Sequence, residues 1–174
     1  MQIPLLSQTT GCRFRKMELH DAPRILEIHT DIETRRFTRL LRQQSLSDII
    51  SWLNYYPHYK RHGFGLWAIE HNDSGLLAGL CGLRVRKDLS NQIDLSYRLH
   101  PEFRGKGIAT DAVKTCVEWG FLSLKLPSIL AQVHRDNTIS MHILSKLGFN
   151  KTKENGIWTD LIKKSPFKTE IQSG

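Results

Sequence analysis

Residues 93–124 constrain this chain more than any other stretch. Ile93, Leu95, Tyr97 and Leu99 alternate with Asp94, Ser96 and Arg98, the period of a strand. Farther on, Ala109, Ala112, Val113, Cys116, Val117, Gly120 and Leu124 recur at helical spacing. Between the two lies the run Phe103-Arg104-Gly105-Lys106-Gly107-Ile108-Ala109. A strand is therefore expected to feed a strong helix through a short basic turn. Gly105 and Gly107 let backbone N–H groups of such a turn approach a ligand closely. The helix start adds unpaired N–H donors and a partial positive charge. That combination suits a phosphate or pyrophosphate, and Arg104 and Lys106 bring full charges to it. Two nucleotide motifs are excluded. No Gly-x4-Gly-Lys-Ser/Thr string exists, and Gly105-Lys106-Gly107 is followed by Ile108, Ala109 and Thr110 rather than completing GxGxxG. Taken alone, the turn equally fits a basic surface turn before a helix.

The flanking sequence predicts a mixed order of elements. Residues 1–10 read as an irregular lead-in and Cys12–Arg15 as a short strand. Asp21-Ala22-Pro23 opens a helix, with Asp21 as its cap and Pro23 in its first turn. Ser45 to Leu53 forms a second helix, bounded by Pro57 and Gly63. Leu66–Glu70 and Leu76–Val85 read as a hairpin around His71 to Gly75, with Gly79 and Gly82 allowing a bulge or a close neighbour. Beyond Pro127, Ile129–Val133 is a strand, and Thr138–Leu147 a helix capped by Asn137 and stopped by Gly148. Phe149–Lys153 and Ile157–Ile162 close the pattern around Asn155-Gly156, and the last ten residues read as polar and frayed. Strands and helices mixed in this way predict an α+β (mixed α/β) layer structure. With 174 residues, 40% of them apolar, and no repeat or linker, one domain over 1–174 with a core over about 10–163 is expected.

Net charge is +8, which favours a polyanionic partner without choosing among nucleic acid, anionic membrane and a phosphorylated small molecule. The basic residues are dispersed (Arg35, Arg36, Arg39 and Arg42; Arg84, Arg86 and Lys87; Lys163, Lys164 and Lys168) and no nucleic-acid motif accompanies them. No window approaches a membrane span, and Met1 to Leu6 lacks the basic and apolar regions of a secretory signal. Cys12, Cys81 and Cys116 are odd in number and widely spaced. They read as reduced thiols in a cytoplasmic protein, packed as small hydrophobes, with no metal site.

Two strings resemble one known family. Arg104-x-x-Gly107-x-Ala109 is similar to the Arg/Gln-x-x-Gly-x-Gly/Ala signature of the GNAT superfamily of N-acetyltransferases. Asn137-Thr138-Ile139-Ser140 followed by Lys146-Leu147-Gly148-Phe149 resembles the family's Asn-x-x-Ser/Ala…Lys-x-Gly-Phe segment. Asp94 and Tyr97 stand where the RimJ/RimL-like branch, related to ribosomal-protein N-terminal acetyltransferases, carries a Glu and a Tyr, with Ser96 in place of its Gly. The resemblance implies a central, mostly antiparallel twisted sheet of six to seven strands, flanked by about four helices and with splayed central strands. It implies acetyl-CoA as co-substrate, no metal, and an amine acceptor that is a protein N-terminus or a small molecule, in a monomer or homodimer with no nucleic-acid or membrane partner. Residue by residue, Arg104, Gly105, Lys106, Gly107, Ile108, Ala109 and Thr110 would hold the coenzyme pyrophosphate. The backbone of Tyr97, Arg98 and Leu99 would pair with the pantetheine arm. Asn137 and Ser140 would sit near the arm or the thioester, and Lys146 at the adenosine phosphates.

An alkyl amine has a pKa of about 10, so about one molecule in a thousand is neutral at pH 7. A base or a water chain must take its proton, and the thioester carbonyl must be polarised. Asp94 is the candidate base or ammonium anchor. Many family members place a Tyr seven residues after the Asn as general acid; here that position is Leu144. Ser140 is the substitute on the same helix, although a thiolate can also leave unaided, its thiol having a pKa of about 8.5. Trp52, Tyr55, Tyr56 and Tyr59 are expected either to line the acceptor pocket or to pack. His134, His142 and Cys116 form no evident nucleophilic pair. A coenzyme A-binding sensor without catalysis is the alternative reading.

Overall fold

A computed structural model describes residues 3–5, 10–39 and 44–167. Arg42, Lys168 and most of the polar C-terminal tail lie outside them. Among the described residues seven strands form one sheet: β1 (Cys12–Arg15), β2 (Leu66–His71), β3 (Leu77–Arg86), β4 (Gln92–Leu99), β5 (Ser128–His134), β6 (Asn150–Asn155) and β7 (Trp158–Lys164), in the order β1-β2-β3-β4-β5-β7-β6. Every neighbouring pair is antiparallel except β4 and β5. Those two run parallel and meet at one register position, Asp94 opposite Leu130.

Alternation along the strands feeds two cores. On one face Trp67, Ile69, Cys81, Leu83 and Leu95 pack with α5 (Ile108–Leu122) and with Leu144 of α6 (Thr138–Lys146). On the other, Ala68, Leu77 and Leu80 pack with α1 (Ala22–Thr30) and α3 (Leu46–Asn54). The helix α5 lies tight on the sheet because Gly120 has no side chain. A Cβ there would sit 2.9 Å from Leu83 Cδ1 and 3.0 Å from Ile129 Cδ1. Gly82 admits a close neighbour in the same way, since its Cβ would meet the Gly65 carbonyl oxygen at 2.1 Å.

Two short helices are absent from the sequence reading: α2 (Ile32–Arg36) and α4 (His58–His62). Each has five residues, too few for an apolar period to register. Ser45 caps α3 in a reciprocal box with Asp48, and Asn137 caps α6 by accepting from the Ser140 N–H. Asp21 departs from its expected role. It precedes α1 but makes no capping bond to it; its carboxylate accepts from Arg15 and from the Glu18 N–H. The α6 stop is at Gly148 as expected, with φ of 81° and the Phe149 N–H bonded to the Leu144 carbonyl at 3.0 Å. All three cysteines are buried thiols, and Cys81 and Cys116 meet across the sheet–α5 interface at 3.6 Å.

Candidate active site

The site begins where β4 and β5 part. Beyond Asp94–Leu130 the strands diverge, and Leu95–Leu99 and Ala131–His134 become opposite walls of a cleft of about 980 Å³. Backbone alternation decides what the β4 wall offers. The His100 N–H donates to Ala78 on the β3 side, so the N–H groups of Leu99 and Tyr97 face the opposite edge, toward the fork. That edge can pair with an extended ligand, and the donors nearest the fork can polarise a carbonyl.

One end of the cleft is the glycine turn. Gly105 and Gly107 have φ of 75° and 77°, and a Cβ on either would meet nothing within 4 Å. The positive φ favours glycine there, and the space over the turn is open. The first helical bond of α5 runs from the Asp111 N–H to the Gly107 carbonyl, and no side chain caps the helix. The N–H groups of Ile108, Ala109 and Thr110 therefore point out of the helix end into the cleft that these residues line. This cradle fits a pyrophosphate. Arg104 holds the turn from outside by bonding Asp31, Thr34 (3.0 Å) and the Leu99 carbonyl (3.4 Å). Burial pushes the Asp31 carboxyl up, but its bonds from Arg104 and Thr34 together outweigh that and hold it below its ordinary value. Lys106 and Lys146 are exposed and do not line the cleft; the Lys106 ammonium lies over the Phe103 ring.

Asn137 and Ser140 enter from the first turn of α6. The Asn137 carbonyl oxygen is used by the cap, at 3.0 Å from the Ser140 nitrogen, leaving its amide NH2 for a ligand. Ser140 stands near the Tyr97 hydroxyl, which is buried without a hydrogen-bond partner among the described residues. Burial raises the Tyr97 pKa, and its interaction with Ser140 lowers it; the net is a value pushed up to about 12. Leu144, where a tyrosine acid is common in the resembled family, is fully buried in the core.

The other end of the cleft lies on the opposite sheet face, under α2 and residues 37–39. Asp94 is buried, and its Oδ2 accepts from Arg84 at 2.7 Å and Arg86 at 3.3 Å. Its Oδ1 is buried without a hydrogen-bond partner, as is Oε1 of Gln132 on the facing β5 wall. Arg98 follows Asp94 on the same face of β4. Phe37 packs on His134 with ring centroids 5.5 Å apart, and the Arg39 guanidinium lies 4.6 Å from the centre of the Trp158 ring. Phe37, Arg39, Gln132, His134 and Trp158 thus line the cleft beside Asp94. Sequence reasoning missed them as a site, because cross-strand register, not sequence spacing, brings His134 opposite Trp158 and Gln132 opposite Asp160.

The aromatic residues offered for this wall pack elsewhere. Tyr59 stacks on Trp67 with centroids 4.9 Å apart, and its hydroxyl donates to the Leu66 carbonyl. Tyr56 accepts from the Leu66 N–H at 2.7 Å, Trp52 packs edge-on against Tyr56, and Tyr55 is exposed. None of the four lines the cleft. His142 is exposed and Cys116 lies in the core, so they form no pair. Among the described residues no group of histidine, cysteine, aspartate and glutamate side chains could hold a metal, and no helix is long and apolar enough to cross a membrane.

Comparison with known proteins meets this geometry from outside. The model of the acetyltransferase (GNAT) domain family matches residues 12–150. An uncharacterized N-acetyltransferase of Bacillus subtilis (strain 168), YoaA, is 28% identical over 149 residues, covering 85% of this chain and 84% of its own. A spermidine N(1)-acetyltransferase of Escherichia coli (strain K12) is 34% identical over 76 residues, 44% of this chain and 41% of its own. Among solved structures, RimL, a ribosomal L7/L12 alpha-N-protein acetyltransferase in complex with coenzyme A, superposes with a TM-score of 0.77 at 14% identity, covering 94% of this chain and 98% of that one. An acetyltransferase from Agrobacterium tumefaciens str. C58 gives 0.74 at 17% identity, over 94% and 95%. The fork, the turn and these matches lead to one conclusion: the chain belongs to the GNAT acetyltransferases and is an N-acetyltransferase, an enzyme that takes its acetyl group from acetyl-CoA.

Proposed function

We propose that this chain acts as one catalytic unit, core about 10–163, that transfers an acetyl group from acetyl-CoA to a primary amine by direct attack across the β4–β5 fork. The observation that carries the reading is the opening of the glycine turn and the buried Asp94 carboxylate into the same cleft. Relatives and structural neighbours named for spermidine and for ribosomal proteins agree with a primary-amine acceptor.

Acetyl-CoA supplies the activated acyl carbon. The residues of the chain divide the remaining work. N–H groups of the turn and of α5 from Gly105 to Thr110 hold the pyrophosphate, with Arg104 fixing the turn. The β4 edge at Tyr97 and Leu99 aligns the arm and donates to the thioester carbonyl oxygen as negative charge develops there. Asp94 Oδ1 anchors the incoming ammonium and receives its proton through water. The amine lone pair bonds to the acyl carbon, the carbon–sulfur bond breaks, and the sulfur leaves as thiolate or takes a proton from the Tyr97–Ser140 pair.

Calorimetry with coenzyme A and thiol release from acetyl-CoA with N-terminal peptides, polyamines and amino acids test the proposal. Coenzyme binding with amine-dependent thiol release is expected. Coenzyme binding with no release across the panel would favour a sensor of coenzyme A over an enzyme.

A further inference from the structure

The acceptor end of the cleft holds a half-buried cation whose charge no side chain among the described residues neutralises. Arg98 lies on β4, and its guanidinium donates to His29 Nε2 at 2.9 Å. A guanidinium has only donors, so Nε2 accepts, and the ring proton sits on Nδ1, which donates to Gln44 Oε1 at 2.5 Å. His29 is therefore neutral in this arrangement. Burial and the neighbouring Arg98 push its pKa down to about 4. Burial, with Arg84 beside it, likewise lowers the Arg98 pKa to about 10. A neutral imidazole orients the guanidinium without cancelling its charge, and Arg98 makes no ion pair among the described residues.

Most of the other charges at this end are engaged. Arg84 and Arg86 close on Asp94, Arg86 also closes on Asp88, and Arg104 is tied to Asp31. Asp160 accepts from Gln132 and Asn155, and Glu33 is exposed on the cleft rim. Several unmatched groups face the cleft, among them the buried Arg84 Nε and the Tyr97 hydroxyl. Asp94 Oδ1 and Gln132 Oε1 are buried acceptors in want of donors. Arg98, two positions past Ser96 on the same strand face, is a set of donors in want of an anion.

Building on the acetyl-transfer reading above, we propose that the acceptor is a primary amine that also carries a carboxylate: the ammonium is taken by Asp94 and Gln132, and the carboxylate by Arg98 held on His29 and Gln44. A planar guanidinium binds a carboxylate through two parallel N–H bonds. A polyamine brings only positive charge and offers Arg98 no anion. Two sources offer this chemistry, a free amino acid and a peptide with an acidic residue next to its N-terminus.

The test compares amines matched in all but the anion. Free amino acids, their C-terminal amides, peptides with acidic or neutral second residues, and spermidine are assayed for thiol release from acetyl-CoA and, with coenzyme A bound, for binding by calorimetry. The expected result is a KM at least tenfold lower for carboxylate-bearing amines than for their neutral counterparts, in the free or the peptide arm. Arg98→Gln is expected to raise the KM of carboxylate acceptors by on the order of 10²-fold, to leave that of the amides within twofold, and to leave coenzyme affinity unchanged. Amides or spermidine that bind and react as well as carboxylates would overturn the proposal, as would absence of carboxylate binding. Weakened coenzyme binding in Arg98→Gln with unaltered acceptor preference would assign the guanidinium to the coenzyme instead. The comparison of acceptors on the unaltered enzyme stands even where the variant is unstable. Failure of coenzyme A itself to bind would sink the acetyl-transfer reading rather than the acceptor preference.

Discussion

Arg84 and Asp94 are directly paired across the β3–β4 ladder, and their side chains close at 2.7 Å. Together with Arg86 this bond fixes Oδ2 and leaves Oδ1 buried without a hydrogen-bond partner among the described residues. Asp94 is thus a positioned carboxylate with one oxygen structural and the other available. Asp94→Ala is expected to cut kcat/KM by on the order of 10²-fold with coenzyme A affinity within twofold. It also strands two arginines, costing about 1–3 kcal/mol of stability. Steady-state kinetics, calorimetry and urea denaturation check the three parts, and unchanged turnover would remove Asp94 from the mechanism.

His29 predicts a pH dependence of stability. Its pKa falls from 6.5 to about 4 on folding, because burial and Arg98 both oppose the imidazolium. Between these values the unfolded chain binds a proton that the folded chain does not. The stability from the neutral ring is therefore complete above pH 6.5 and is lost progressively as pH falls toward 4. The full span corresponds to about 3 kcal/mol. Urea denaturation at pH 7 and pH 4.5 is expected to show a larger loss for the unaltered protein than for His29→Gln. An equal loss in both would mean that other groups carry the acid sensitivity.

Two glycines are expected to fail in different ways. Gly107→Ala meets no neighbour but needs a φ near 77°, which costs about 1–2 kcal/mol, and it places a methyl group over the phosphate cradle. Coenzyme A affinity is expected to fall at least tenfold, with only a few degrees lost in Tm. Gly82→Ala would put Cβ 2.1 Å from the Gly65 carbonyl oxygen, a backbone clash that no side-chain movement relieves. It is expected to yield little folded protein. Thermal melts and coenzyme titration separate the two outcomes.

The geometry of the end proposed for the coenzyme was legible in the sequence because its determinants are local. Gly105, Gly107, the start of α5 and the Asn137 cap are each set by a few consecutive residues. The alternation of β4 likewise assigned Asp94, Ser96 and Arg98 to one face. The acceptor end depends on register and on distant chain. Nothing in the spacing of Arg84, Arg86 and Asp94 announces that they meet. Nor does it announce that His29 on α1 would hold Arg98, or that α2 would roof the cleft. The tyrosines of residues 55–59 stayed undecided in the sequence for a related reason: an aromatic cluster has the same composition whether it lines a pocket or, like Tyr59 against Trp67, fills a core.

Leu144 cannot donate a proton, and in the proposed mechanism Tyr97 and Ser140 are the donors nearest the departing sulfur. Burial raises the Tyr97 pKa, Ser140 restrains it, and the value of about 12 keeps the hydroxyl protonated across any working pH. It can therefore donate but cannot act as a base. Because the leaving thiol has a pKa of about 8.5, its thiolate is a tolerable leaving group, and the loss on removing the donor is modest. Tyr97→Phe is expected to lower kcat about tenfold with coenzyme A affinity unchanged. Ser140→Ala is expected to lower it less. If Ser140 acts through the tyrosine, the double variant will match Tyr97→Phe alone; independent roles would make the two losses multiply. Single-turnover rates for the four proteins measure this coupling directly, and an unaltered rate in Tyr97→Phe would show that the thiolate leaves without help.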